Sequence, residues 1–78
     1  MRSRNNNNSE LINIQKRLRE AISQSGIDQK IIADKIGVSA QTVSKYMTRD
    51  VFPALDTLAK LCVLLDISSD YILGIKDY

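Results

Sequence analysis

Apolar side chains recur at the three- and four-residue spacing of an amphipathic helix in five stretches of the chain. These stretches predict helices over 10–25, between Asp28 and Gly37, over 40–48, over 55–65 and over 69–73. The side chains expected to cover the core from the first four helices are Leu11, Ile14, Leu18 and Ile22; Ile32, Ala33 and Ile36; Val43, Tyr46 and Met47; and Leu55, Leu58, Ala59, Cys62 and Leu65. Ser9 is the expected cap of the first helix. The predicted fold class is all-α, with five helices.

The turn between the second and third helices carries the strongest local signal. Gly37 follows the last apolar residue of one helical pattern, where a left-handed backbone conformation favours glycine. Ser39 then offers a side-chain oxygen to the free amides of the next helix, as Asp28 does for the second helix. Two short helices joined in this way form a helix-turn-helix, whose second helix can lie in the DNA major groove.

The residue composition excludes several classes of chemistry. With one cysteine and no histidine among 78 residues, we expect no internal disulfide, no zinc site of the usual Cys/His kind and few nucleophile–base pairs. We therefore expect a protein that is not an enzyme and needs no cofactor or small-molecule ligand. A lone cysteine fits a reducing compartment, and no apolar run approaches the about 20 residues of a membrane span. The basic N-terminus also lacks the apolar segment of a signal peptide. These features predict a soluble cytoplasmic protein.

Charge is distributed unevenly along the chain, although the net charge is only +2. Residues 1–27 carry five basic and two acidic side chains, and residues 28–49 carry four and two. Residues 50–78 carry two basic side chains and five aspartates. A chain that is basic in its first two thirds and acidic at its end favours one side that faces DNA and one that faces solvent or a partner.

The turn and its flanking helices resemble a known family. The chain resembles the lambda-repressor/Cro-like (XRE-type) helix-turn-helix family in the segment QKIIADKIGVSAQTVSKYM. The resemblance continues at later positions that are typical of the family, which are Pro53, Leu55, Leu58, Leu65, Ile67-Ser68 and Ile72-Leu73-Gly74. The similarity covers roughly residues 14–74 without a gap. It implies a five-helix DNA-binding domain over 10–74, between a polar tail at 1–9 and a C-terminal tail at 75–78.

The third helix is the expected recognition helix. Gln41 can pair bidentately with adenine, and Lys45 can donate to guanine acceptors or to a phosphate. Ala40 can contact only a thymine methyl group. In the family the positions of Ala40, Gln41 and Lys45 read base edges. Ser44 shares their exposed face and is either a fourth base contact or an ordinary surface residue.

A second set of residues is expected on the DNA backbone. The resemblance implies that Gln29 hydrogen-bonds a phosphate, and the free amides and positive dipole of the second helix favour an anion at the same place. An ordinary exposed glutamine is the other interpretation. The resemblance also implies backbone contacts for Ser39 and Thr42. Arg49 could reach a phosphate from the following loop, and Arg17 could do so from the first helix.

The chain departs from the family pattern at the end of the recognition helix. The family favours an acidic residue, a basic residue and glycine there, and this chain has Met47-Thr48-Arg49. Without the glycine, the helix end lacks its easiest left-handed residue. On the first helix, Lys16, Arg17 and Arg19 lie off the apolar stripe and are interpreted as a solvated face.

Several apolar or basic residues have two interpretations. Members of the family often dimerise through the C-terminal end, which makes Tyr71, Ile75, Tyr78 and Phe52 candidate dimer contacts. A loose C-terminal tail, with Phe52 packed on the bundle, is the other interpretation. Arg2 and Arg4 belong either to a frayed tail or to an arm that reaches DNA.

Together these features predict a sequence-specific transcriptional regulator that binds double-stranded DNA. We expect a repressor that binds a near-palindromic operator as a homodimer, and a short chain of this kind suggests a prophage-type regulator. The alternative is a protein-interaction module such as an antitoxin, which an apolar surface patch at Ile31 or Phe52 would favour.

Overall fold

The computed structural model describes residues 9–76, which fold into five helices without a strand in that range. The helices are α1 Ser9–Ser25, α2 Gln29–Ile36, α3 Ala40–Thr48, α4 Leu55–Leu65 and α5 Ser69–Leu73. The predicted all-α fold class is confirmed. Ser9, the first described residue, is already helical, so the predicted cap at Ser9 is wrong.

Local hydrogen bonds set the ends of α2 and the start of α3. The Asp28 carboxylate accepts from the amide of Lys30 at 3.1 Å and so begins α2. Gly37 ends that helix with φ 79° and ψ 30°, in the left-handed region, and its amide donates to the carbonyl of Ala33 at 2.9 Å. Ser39 Oγ then accepts from the amide of Thr42 at 3.1 Å. The predicted roles of Asp28, Gly37 and Ser39 are all confirmed.

One apolar core joins the first four helices. Its buried residues are Leu18 and Ile22 of α1; Ile32, Ala33 and Ile36 of α2; Val43 and Tyr46 of α3; and Leu61 of α4. Helix α2 packs against both α3 and α4, and α1 packs against α5. Because the turn and the core hold α2 and α3 against each other, the two helices form one unit with a defined exposed side.

The buried face of α4 differs from the predicted one. Leu61 is 1% exposed, whereas Leu55 is 83% exposed and Ala59 is also exposed. Successive helical residues turn by about 100°, and α4 directs the side between Leu58 and Leu61 into the bundle. Ala59 is therefore turned away from the core. Cys62 lies half-buried at the edge of this face.

Helix α1 also buries less than its apolar stripe suggests. Leu18 and Ile22 lie in the core, but Ile14 is half-buried and Leu11 is exposed. The first turns of α1 therefore extend beyond the helices that cover its second half. Among residues 9–76, no helix is long and apolar enough to cross a membrane.

Candidate nucleic-acid interface

The outer face of α3 brings the four candidate base-reading residues together. Ala40, Gln41, Ser44 and Lys45 are all exposed, whereas Val43 and Tyr46 on the opposite side are buried. Gln41, Ser44 and Lys45 stand at i, i+3 and i+4, so their side chains share one patch of the helix surface. The patch carries a primary amide, a hydroxyl and an ammonium group, which can all hydrogen-bond to base edges or phosphates.

The first turn of α3 holds two of the candidate backbone contacts. Ser39 Oγ and Thr42 Oγ1 lie 2.9 Å apart and share a hydrogen bond. The carbonyl of Ser39 accepts from the amides of Thr42 at 3.0 Å and Val43 at 3.2 Å. These bonds tie the start of the helix together next to the exposed Ala40 and Gln41. They also fix the orientation of both hydroxyl groups.

Gln29 stands in the first turn of α2 and is exposed. The preceding Asp28 uses its carboxylate on the amide of Lys30. Amides of the first turn have no partner within their own helix, so the start of α2 points partial positive charge outward. The structure thus places the exposed Gln29 side chain next to the Asp28 cap at the start of α2, and its phosphate contact stays a prediction.

The end of α3 is built differently from the other helix ends. Among residues 9–76, the other helices end at, or are followed by, a residue with positive φ, but Arg49 after α3 is extended, with φ −133° and ψ 171°. Two carbonyls at this end accept from α1 instead. Arg19 Nε donates to the carbonyl of Tyr46 at 2.8 Å, and Arg19 Nη2 donates to that of Arg49 at 3.0 Å. The expected solvated role of Arg19 is therefore wrong.

Gln15 completes this arrangement from one turn earlier in α1. Its Nε2 donates to the same Arg49 carbonyl at 3.0 Å and lies 3.4 Å from Asp50 Oδ1. Sequence reasoning missed Gln15 and misassigned Arg19. The available signals were the missing glycine at position 49 and two donors four residues apart on α1. Nothing in the local sequence pairs those donors with carbonyls about thirty residues away.

Arg17 lies on the other flank of α1. Its guanidinium stands over the ring of Tyr71 in α5, with Cζ 5.5 Å from the ring centroid. This is the separation of a cation–π contact. Both side chains are half-buried. The expected backbone contact of Arg17 stays a prediction, but its guanidinium is already engaged with α5.

The candidate dimer residues are partly exposed. Ile75 is 67% exposed, whereas Phe52 and Tyr71 are half-buried. Tyr78 lies outside the described residues, as do Arg2 and Arg4 of the N-terminal tail. Their assignments stay predictions.

Two titrating side chains near the core are perturbed by burial. Burial raises the pKa of the Tyr46 hydroxyl and that of the Cys62 thiol, because each charged form loses hydration. Both groups are therefore neutral at physiological pH. Within residues 9–76, no three His, Cys, Asp or Glu side chains stand close enough together to hold a metal ion.

A capped α2, a left-handed glycine turn and an α3 with a polar outer face define a helix-turn-helix domain. Comparison with known proteins agrees. A family model described as helix-turn-helix matches residues 15–72, and the chain belongs to this XRE-type family of DNA-binding transcription regulators.

The chain is also similar to three regulators of Bacillus subtilis (strain 168). It is 41% identical over 59 residues to the HTH-type transcriptional regulator ImmR, covering 76% of this chain and 46% of ImmR. It is 36% identical over 61 residues to the uncharacterized HTH-type transcriptional regulator YobD, covering 78% and 54%. With the SPbeta prophage-derived uncharacterized HTH-type transcriptional regulator YonR it shares 35% identity over 57 residues, covering 73% and 53%.

This chain spans about half the length of the curated relatives that it matches. No solved structure matches it significantly.

Proposed function

We propose that this chain is a sequence-specific, double-stranded DNA-binding transcriptional regulator that acts in the cytoplasm as a repressor. The observation that carries the proposal is the outer face of α3, where Gln41, Ser44 and Lys45 are exposed opposite the buried Val43 and Tyr46. A helix that is held by its inner face and polar on its outer face can enter the major groove as a rigid body. Repression follows from occupation of a promoter.

Base reading falls to the side chains of this face. Gln41 offers a donor and an acceptor to the N7 and N6 groups of adenine. Lys45 donates to guanine O6 or N7 or to a phosphate, and Ala40 contacts a thymine methyl group. Ser44 lies between them and adds a hydroxyl that serves either base or backbone.

Phosphate contacts surround that face and set its register on the duplex. Gln29 reaches a phosphate from the start of α2, aided by the free amides there. Ser39 and Thr42 contribute their paired hydroxyl groups from the first turn of α3, and Arg49 approaches a second phosphate from the loop. Arg17 contributes only if it leaves the ring of Tyr71.

A selection of bound duplexes from a random DNA library at near-physiological salt tests this function. We expect an enriched inverted repeat, because two copies would place their recognition helices about 34 Å apart, one turn of DNA. Enrichment of a single half-site would support sequence-specific regulation but would reject binding as a dimer. Recovery of no sequence, with only weak salt-sensitive binding, would refute sequence-specific regulation.

Protein substitutions, assayed on the recovered duplex, distinguish base contacts from phosphate contacts. Gln41→Ala is expected to cost about 1–3 kcal/mol on that duplex and to relax one base position. Gln29→Ala is expected to weaken binding equally on selected and random duplexes, because a phosphate carries no sequence information. The matched control is Gln24→Ala, an exposed glutamine of α1 outside the proposed interface. An equal loss for Gln41→Ala on both duplexes would contradict base reading.

We further propose that two copies associate through the C-terminal end. The support is Ile75, which is 67% exposed, beside the exposed Leu73 of α5. Ile75→Asp is expected to give monomers in sedimentation at concentrations where the wild type is dimeric. Ile12→Asp places the same charge on an exposed isoleucine of α1 and serves as the control. An unchanged mass for Ile75→Asp would reject this contact.

The relatives suggest a setting for this function. YonR is by name derived from the SPbeta prophage, which supports a prophage-type regulator.

The second candidate function is a protein-interaction module. Ile31 is 51% exposed on α2, one turn before Lys35. Lys35 lines an open groove between α2 and α4 with Val63 and Leu64. An antitoxin-like protein would use such a surface for its partner. Recovery of no duplex in the selection would favour this candidate.

A further inference from the structure

Two polar side chains of α1 provide the cap that the recognition helix lacks in its own sequence. We infer that Arg19 and Gln15 are positioning residues for DNA binding: they hold the end of α3 and thereby fix where Arg49 leaves the helix. The inference deepens the proposed function, because it rests on Arg49 as a phosphate contact.

The local backbone by itself leaves this helix end weakly defined. A left-handed residue after a helix normally returns backbone amides to its last carbonyls. At the end of α3, the extended Arg49 donates its amide to the carbonyl of Lys45 at 2.8 Å. The carbonyl of Tyr46 and that of Arg49 itself receive their donors from α1.

The geometry of the Arg19 guanidinium suits this task. Its planar fork presents Nε and Nη2 in a fixed geometry, and the two reach carbonyls three residues apart, those of Tyr46 and Arg49, at 2.8 and 3.0 Å. A positive charge at a helix C-terminus is also favoured by the helix dipole. The bond to the Tyr46 carbonyl is part-buried, which shields it from competing water, whereas the bond to the Arg49 carbonyl is exposed.

Neighbouring core residues hold the two donors in place. Gln15 and Arg19 are four residues apart and lie on one flank of the stripe that buries Leu18 and Ile22. Because that stripe anchors α1 in the core, the two donors have a fixed position relative to the end of α3. The Arg49 carbonyl receives two of their bonds. Its backbone is therefore held while its exposed side chain remains directed to solvent.

The first test needs no DNA. Amide hydrogen exchange is measured by NMR in the wild type, Arg19→Met, Gln15→Leu and Lys16→Met. The control Lys16→Met removes a positive charge from an exposed site on the same helix with the same substituted residue. We expect the Arg49 amide to exchange about tenfold faster in Arg19→Met and unchanged in the control. Equal exchange in all four proteins would overturn the capping role.

The second test measures affinity for a random-sequence duplex at low salt, because a phosphate contact contributes on any sequence. Arg19→Met is expected to weaken binding about fivefold more than Lys16→Met. Gln15→Leu, which changes no charge, is expected to weaken it by about twofold. An unchanged affinity for Gln15→Leu, with a loss for Arg19→Met, would mean that Arg19 contacts the phosphate directly and would overturn the positioning role.

A double-mutant cycle tests whether Arg19 acts through Arg49. If Arg19 acts through Arg49, then Arg49→Ala has little further effect in the Arg19→Met background. Additive losses would overturn the inference. Arg19→Lys keeps the positive charge but loses the planar pair of donors. Its affinity for the duplex is expected to lie between those of the wild type and Arg19→Met. Should the wild type bind no duplex, the proposed function and the positioning role both fail, and the exchange data still decide whether the cap exists.

Discussion

Replacing Gly37 by alanine isolates the backbone cost of the turn between α2 and α3. Gly37 has φ 79°, and an added β-carbon would meet no described atom within 4 Å. The change therefore introduces strain without a steric clash. A left-handed conformation costs an L-residue about 1–2 kcal/mol, and the lost freedom of the unfolded chain offsets about 0.4–1 kcal/mol. The expected net loss of stability is about 1 kcal/mol.

Thermal unfolding followed by circular dichroism measures this loss. For a domain of this size, about 1 kcal/mol corresponds to a fall in Tm of roughly 4–8 °C. Gly37→Asn is expected to lower Tm less, because asparagine tolerates the left-handed region. Gly26→Ala provides an independent replicate, since Gly26 has φ +72° and equal free space. The control is Ser23→Ala at an exposed position of α1, with an effect within about 0.5 kcal/mol.

Two results would refute this reasoning. An unchanged Tm for Gly37→Ala would show that the turn does not need a left-handed residue. A fall as large for Gly37→Asn as for Gly37→Ala would show that side-chain crowding, and not backbone strain, determines the cost.

Three further predictions concern the core. Val43→Ala is expected to cost about 2–3 kcal/mol of unfolding free energy in urea, because Val43 is 0% exposed between α3 and its neighbours. Val63→Ala, at an exposed site on α4, is the control, and equal costs would contradict the assigned core. The Cys62 thiol, whose pKa burial raises, is expected to react with iodoacetamide at pH 8 more slowly in the folded protein than in urea. Equal rates would contradict its burial. Burial also raises the pKa of Tyr46 above its ordinary value of 10.0, so its contribution to stability is complete below that pH and is lost as pH rises above it. Tyr46→Phe is expected to reduce this alkaline loss, and an unchanged pH profile would argue against the effect.

The sequence by itself determined the helices and the turn that joins α2 to α3. Asp28, Gly37 and Ser39 act through hydrogen bonds that span two to four residues. Such bonds form between neighbours in the chain, so their residue types and spacing are sufficient to predict them. The outer face of α3 follows in the same way, because the buried Val43 and Tyr46 fix which side points outward.

The tertiary structure decided which face α4 buries and how α3 ends. Periodicity predicted a face that includes Leu55 and Ala59, but the placement of the neighbouring helices selects Leu58 and Leu61. Arg19 reads from sequence as a solvated cation, yet it caps a helix 27 to 30 residues further along the chain. Local periodicity does not encode such pairings, because they depend on the angle at which two helices pack. The residues of α1 that bond to the end of α3 are thus identified only by the assembled bundle.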